Sequence, residues 1–256
     1  MSLIFYLVLF NFLKAKHTVF ACTLLVTAFF SLTNCGGSSS DSSNYTIVCF
    51  GDSITEGMSA VTPGVVDKTK SYPAYFQEKV TADVINSGVS GETTAEALAR
   101  IQTDLLDKDP DIVIICLGAN DFFASDAADL DATLATIKTN IQSMITQLDT
   151  KERIVFVAKF YNEASARDML TNKEITDSAD QDDIIDQCNT VFEDIKNTST
   201  TNLTDIELID DIWEGVWGTA NMSSDEIHPI ASGYQIMADT YFSWMREYLE
   251  EIGAVK

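Results

Sequence analysis

From residue 45 to the C-terminus, short runs of β-branched and apolar residues alternate with longer stretches whose apolar residues recur at helical spacing. No other feature of the chain limits its fold as strongly. The runs 46–50, 83–86, 112–117 and 154–158 read as buried strands, with a weaker fifth at 206–209. The stretches around 72–80, 94–106, 130–148 and 184–195 read as amphipathic helices between them. A last helix over 231–252 puts Tyr234, Met237, Ala238, Tyr241, Met245 and Leu249 on one stripe, which is expected to face the core. Strands that are apolar along their whole length must be covered on both sides. The expected class is therefore α/β, a parallel sheet with helices on both faces. The connection 160–181 is rich in charge and has no strand signal, so it is expected to be an exposed insertion.

Composition removes several functions. A chain of 256 residues, 46% hydrophobic, can bury one sizeable core. Its 39 Asp and Glu outnumber 16 Lys and Arg, and the net charge of −23 repels nucleic acid and anionic membrane surfaces. Two histidines cannot build a multi-histidine zinc site, and no cysteine pair has the spacing of a zinc knuckle or a CxxC redox motif, so no metal site is expected.

Residues 1–35 read as an export leader. An apolar start is interrupted by Lys14, Lys16 and His17, and residues 18–32 form a second apolar run, too short for a bilayer-spanning helix but suited to a signal-peptide core. The run ends in Leu32-Thr33-Asn34-Cys35, which resembles a bacterial lipobox, although that pattern prefers Gly, Ala or Ser where Asn34 stands. Residues 36–44 are a Gly/Ser-rich polar tether with nothing to pack. The expectation is an exported periplasmic, outer-membrane or cell-surface lipoprotein anchored through Cys35, or otherwise a secreted protein, with residues 45–256 as its domain. Of the cysteines outside the leader, Cys49, Cys116 and Cys188 lie in apolar settings and are expected as buried thiols rather than a disulfide framework.

Ligands of open parallel sheets bind beyond the carboxyl ends of the strands, and four sequence blocks fall there. Gly51-Asp52-Ser53-Ile54-Thr55-Glu56-Gly57 follows the first strand and sets Ser53 on a strand-to-helix turn. The second strand leads into Asn86-Ser87-Gly88-Val89-Ser90-Gly91-Glu92-Thr93, whose glycines let backbone N–H groups approach a ligand. The third leads into Gly118-Ala119-Asn120-Asp121, which offers a side-chain amide. Near the C-terminus, Asp225 stands three residues before His228. Together they supply a nucleophile, two oxyanion donors besides the N–H of Ser53, a general base and a carboxylate to orient it. His228 is the only histidine outside the leader, so an imidazole that activates Ser53 must be His228. Asp52 is expected to brace the turn and Ser90 to be structural. The α/β-hydrolase elbow G-x-S-x-G is not met, since Thr55 occupies the position of its second glycine.

These blocks resemble, in order, those of the SGNH (GDSL) hydrolase superfamily, on Ser53, Gly91, Asn120 and His228, with Asp225 completing the triad. Runs 86–94 and 117–121, with Trp213-Glu214-Gly215-Val216, are most similar to its bacterial arylesterase, thioesterase I and lysophospholipase branch. The resemblance implies a three-layer, flavodoxin-like fold with five strands in the order 2-1-3-4-5. It also implies hydrolysis of carboxylic esters or thioesters without a cofactor, through Ser53, Asp225 and His228 and an oxyanion hole of Ser53, Gly91 and Asn120. A monomer acting on a small acyl ester or thioester is expected. One alternative is a carbohydrate O-acetylesterase using the same residues, and another is a non-catalytic surface lipoprotein that binds acyl chains or glycans. Phe122, Phe123, Tyr161, Trp213 and Trp217 fall in loops near the expected site and would line an acyl groove. Cys49 and Cys116, each four residues before a site residue, are expected at matching heights on neighbouring strands.

Overall fold

A computed structural model describes residues 45–256; the expected leader 1–35, its lipobox-like end at Cys35 and the expected tether 36–44 lie outside the described residues. Five strands, β1 (Thr46–Gly51), β2 (Asp83–Gly88), β3 (Ile112–Cys116), β4 (Ile154–Ala158) and β5 (Asp205–Ile209), form one sheet in the order 2-1-3-4-5. Every pairing in it is parallel. The fold is the expected three-layer α/β architecture.

The period of two along each strand divides the core. Val48, Phe50, Val113, Ile115, Val155 and Val157 face one layer, where they pack under α3 (Thr94–Ala99), α6 (Leu130–Leu148) and α8 (Ser178–Lys196). Ile47, Cys49, Ile114, Cys116 and Phe156 face the other, beneath α2 (Tyr72–Gln77) and α9 (Ala231–Glu251). The α9 stripe expected from the sequence, from Tyr234 to Leu249, is fully buried there. Both faces of the central strands are covered, which is why their sequences lack a polar alternation.

Three expectations are corrected. The connection 160–181 is no exposed insertion: it contains α7 (Glu163–Asn172), and Phe160, Tyr161, Ala166, Met169 and Leu170 are buried in the core. The charged residues that suggested exposure lie on one side of that helix while its apolar side packs inward. The stretch 94–106 is two short helices, α3 and α4 (Ile101–Asp104), interrupted at Arg100. Cys49 and Cys116 are not level either: Cys49 pairs with Ile114, and Cys116 pairs with Gly51, because β1 and β3 are offset by two residues relative to the site residues that follow them. Cys49, Cys116 and Cys188, the cysteines among the described residues, are free and buried, and burial pushes the thiols of Cys49 and Cys188 up to about 12.

The sheet order fixes where a ligand can sit. The chain leaves β1 for β2 on one side and then returns to β3 on the other, so the connections diverge above the carboxyl ends of β1 and β3. Ser53 follows β1 and Asn120 follows β3, placing them on opposite lips of that crevice.

Candidate active site

Ser53 opens α1 (Ser53–Glu56), a single helical turn. The helix cap is Asp52 rather than Ser53: its Oδ1 accepts the Ile54 N–H at 3.0 Å, which leaves the serine hydroxyl free of capping work. Ser53 Oγ lies 2.8 Å from His228 Nε2, although 175 positions separate the two residues. His228 Nδ1 lies 2.9 Å from Asp225 Oδ2. With the ring proton on Nδ1, His228 donates to Asp225 and leaves Nε2 as an acceptor for the Ser53 hydroxyl.

Asp225 is held by more than its histidine. Its Oδ1 accepts the N–H groups of Ile227 at 3.0 Å and of His228 at 2.9 Å, and its Oδ2 accepts the Ser59 hydroxyl at 2.7 Å. Partial burial works against its charge, but these backbone donors, the Ser59 hydroxyl and the imidazole outweigh it and hold the carboxyl at about 2. The bend that makes this possible runs through Glu226, at φ 58°, and is tied off by Ser223, whose N–H donates to the His228 carbonyl at 2.8 Å. An Asp and a His three apart can thus face each other without a helix between them.

Asn120 lies in the first turn of α5 (Ala119–Ala124). Its Nδ2 donates to the Glu92 carbonyl at 2.9 Å, and its second proton faces Asp52 Oδ2 at 3.4 Å, a long contact that an incoming oxyanion can replace. Gly91 immediately precedes Glu92 and has φ 82°, a conformation that suits glycine. Neither Ser53 nor Gly91 donates its N–H to any group among the described residues. Ser53, His228 and Asn120 share one cavity, whereas Gly91 does not line it and is tied to it only through its neighbours.

Those ties are firm. Val89 N–H donates to the Gly51 carbonyl at 3.0 Å, and Ser90 donates to Glu56 Oε2 through its N–H at 2.8 Å and its hydroxyl at 2.5 Å. Ser90 is therefore a structural partner of Glu56. On the other side Arg100 stacks 4.4 Å from the centre of the Phe50 ring, pairs with Glu92 at 2.6 Å and donates to the carbonyls of Ser87 and Gly51. Gly88 allows the close approach of β2 to α1, since a Cβ there would lie 2.3 Å from Glu56 N. Asp52, 2% exposed, is raised to about 7 by its burial, against the pull of the Ile54 N–H and with the charges of Asp121 and Glu92 adding to the rise.

The cavity beside Ser53 has a volume of about 260 Å³ and is walled by Phe123, Phe160, Met169, Trp213, Trp217 and Ile227. Three of the five loop aromatics singled out in the sequence, Phe123, Trp213 and Trp217, do line it. Phe122 is instead buried in the core, and Tyr161 packs against Phe160 and Phe192. Sequence reasoning missed Phe160, Met169, Ser59 and Arg100. No sequence signal marked any of them, since 94–106 read as one continuous helix through Arg100.

Residues 49–236, well over half of the chain, match the GDSL-like Lipase/Acylhydrolase family. The chain belongs to that family. GDSL-like enzymes hydrolyse esters. An acetylxylan esterase of Geobacillus stearothermophilus is 25% identical over 182 residues, which cover 66% of this chain and 72% of that protein. A stretch of 83 residues is 35% identical to the uncharacterised lipoprotein YqeF of Bacillus subtilis (strain 168), covering 29% of this chain and only 31% of that protein. The crystal structure of a lipase/acylhydrolase from Enterococcus faecalis shares the fold at a TM-score of 0.56 and 20% identity, over 83% of this chain and 97% of that one.

Proposed function

We propose that this GDSL-family protein is a serine ester hydrolase that cleaves carboxylic esters or thioesters through an acyl-enzyme on Ser53. The observation that carries the reading is the unbroken relay from Ser53 Oγ through His228 to Asp225, with contacts of 2.8 and 2.9 Å. His228 Nε2 takes the hydroxyl proton as Oγ attacks the carbonyl carbon, and Asp225 stabilises the imidazolium that forms. The carbonyl oxygen becomes an oxyanion held by the N–H groups of Ser53 and Gly91 and by the amide of Asn120. The imidazolium then delivers its proton to the leaving oxygen or sulfur as that bond breaks. Water, deprotonated by the same imidazole, attacks the acyl-enzyme; His228 returns that proton to Ser53 Oγ as the acyl–oxygen bond breaks, and the acid is released.

The wild-type protein is expected to turn over p-nitrophenyl acetate and to be labelled on Ser53 by a fluorophosphonate. Ser53→Ala and His228→Ala should each lose nearly all turnover, since neither half of the pair works alone. Near-normal hydrolysis by the Ser53→Ala protein would overturn the assignment.

The motifs at 86–94 and 117–121 support a substrate of the arylesterase, thioesterase or lysophospholipase kind. The likeness to an acetylxylan esterase supports a second reading, removal of an O-acetyl group from a carbohydrate by the same residues. A non-catalytic binding role is disfavoured by the intact relay. In the same proposal residues 1–35 are a leader, Cys35 carries the lipid, residues 36–44 tether an exported monomer, and the relative named a lipoprotein supports that placement.

A further inference from the structure

The segment that carries the nucleophile also reaches the far end of the relay. At the end of α1 the chain turns back on itself, with the Ser53 carbonyl accepting the N–H groups of Gly57 and Met58, both at 3.0 Å, and Ser59 follows directly. Ser59 is 1% exposed, and its hydroxyl lies 2.7 Å from Asp225 Oδ2. An ionised carboxylate can only accept, so the proton in this contact is the hydroxyl's. The contacts form a ring: from Ser53 Oγ to His228, on to Asp225 and Ser59, and back along the backbone to Ser53.

Ser59 is itself held in an unusual conformation. Its φ is 60°, in the left-handed region that residues with a Cβ seldom adopt. Strain of that kind persists only where surrounding contacts enforce it. Here the Ser59 N–H donates to the Val65 carbonyl at 2.9 Å, Met58 and Val66 pair as an antiparallel bridge, and Ser59 Oγ accepts the Gly64 N–H at 2.9 Å. The same segment is tied to the start of α9, which begins just past His228. The Met58 carbonyl accepts the Tyr234 phenol at 2.8 Å, and the Ala60 carbonyl accepts the Ala231 N–H at 2.7 Å. Ser59 therefore approaches Asp225 from a neck of chain that is fixed on both sides.

The two oxygens of Asp225 have different tasks. Oδ1 is set by the N–H groups of Ile227 and His228, which belong to the same bend and move with it. Oδ2 faces the imidazole, and among the described residues Ser59 is its one donor from outside that bend. During acyl transfer the ring passes a proton between Ser53 Oγ and the leaving atom, so Oδ2 needs an anchor that does not move with the ring to stay on the Nδ1–H axis. We infer that Ser59 is a positioning residue for the reaction, acting through Asp225 Oδ2 to hold the His228 imidazole against Ser53. The inference rests on the acyl-enzyme reading above and adds to it a residue outside the four sequence blocks.

The test separates the hydroxyl from the fold of its loop. Ser59→Ala keeps the Cβ and the backbone contacts, and kcat for p-nitrophenyl acetate is expected to fall by about three- to tenfold, the size of one ordinary hydrogen bond, with KM changed by less than about twofold. Ser59→Gly suits φ 60°, so its Tm should match or exceed that of Ser59→Ala while kcat falls to a similar extent, which sets the loss of turnover apart from any loss of loop structure. In a double-mutant cycle the effect of Ser59→Ala should shrink to less than about twofold in the Asp225→Asn background, because the hydroxyl acts only through the carboxylate. Fluorophosphonate labelling of Ser53 should slow in Ser59→Ala as well. Wild-type kcat in either variant, a change confined to KM, or a loss that adds in full to that of Asp225→Asn would overturn the assignment. Absence of both turnover and labelling in the wild-type protein would instead overturn the acyl-enzyme reading beneath it.

Discussion

Replacing Asp225 by asparagine tests the relay more sharply than deleting the side chain. Oδ1 of the native carboxylate receives two backbone N–H groups, from Ile227 and His228, while Oδ2 faces the His228 ring and the Ser59 hydroxyl. An asparagine must place its carbonyl oxygen at the first position, because an amide nitrogen there would meet two donors. Its NH2 is thereby forced to the second position, where it donates to His228 Nδ1. The imidazole answers by moving its proton to Nε2, and Nε2 then has no lone pair to receive the proton of Ser53. Ser59 adapts by rotating its hydroxyl, so the local fold has no reason to change.

A histidine held in the wrong tautomer costs a serine-hydrolase triad about 10⁴ in kcat. That factor corresponds to about 5 kcal/mol of transition-state stabilisation. Turnover of p-nitrophenyl acetate by Asp225→Asn is expected to fall by about that factor. His228 is the only histidine in residues 45–256, so ¹⁵N NMR of protein lacking the leader reads its tautomer without assignment by mutation. The proton should sit on Nδ1 in the wild type and on Nε2 in the variant. The stability of the variant carries a second sign. Because the folded-state carboxyl is held at about 2, below the ordinary 3.8, its contribution is present above about pH 4 and is lost as pH falls towards 2. Asp225→Asn should therefore be less stable than wild type at pH 7 and converge with it in acid. Turnover within tenfold of wild type, or a ring proton still on Nδ1, would refute the tautomer argument.

The remaining tests address the parts around the relay. Asp52 titrates near 7 in the fold against an ordinary 3.8, so its contribution to stability is present below about pH 4 and is lost as pH rises to about 7. Asp52→Asn, which imitates the protonated form and keeps an acceptor for the Ile54 N–H, should gain up to about 4 kcal/mol over wild type at pH 8 and almost nothing at pH 3.5, read by urea unfolding at both. An equal difference at the two pH values would remove the buried-charge argument. Asn120→Ala should lower kcat by about 100- to 1,000-fold with little change in KM, and a change confined to KM would take the amide out of the oxyanion hole. Gly88→Ala drives a Cβ to within 2.3 Å of Glu56 N, against backbone rather than a flexible side chain, and should cost about 1–3 kcal/mol, seen as a lowered Tm. An unchanged Tm would mean that β2 and α1 can separate without penalty.

The parts legible in the sequence are those whose cause is local. Apolar runs such as 112–116 announce a buried strand because every one of their side chains must leave water, and the observed β3 spans Ile112–Cys116. Ser53, Asn120 and the Asp225–His228 pair are legible because strand ends are where an open sheet presents side chains, and because a serine needs a base that only His228 provides. The reading of 160–181 failed for the same reason. Charge on one side of α7 outweighed, in a linear scan, the apolar side that carries Met169 and Leu170 into the core.

The illegible parts are the contacts between distant segments, and they determine how the site is held rather than what it contains. Nothing near Asp225 in the sequence marks Ser59, 166 positions away, as the donor to its Oδ2. Arg100 cannot be read as the clamp joining Phe50, Gly51, Ser87 and Glu92 until β1 and β2 are laid side by side. The walls of the cavity are distributed in the same way: Phe123, Met169, and the pair Trp217 and Ile227 come from three separate connections on the carboxyl side of the sheet. Reaction and selectivity therefore have different physical supports in this chain. The reacting groups are anchored by strands and short turns whose geometry the sheet dictates, whereas the walls of the cavity beside Ser53 come largely from α5, α7 and the 213–227 segment. Substitutions in those connections can change what is cleaved while leaving the Ser53–His228–Asp225 geometry in place.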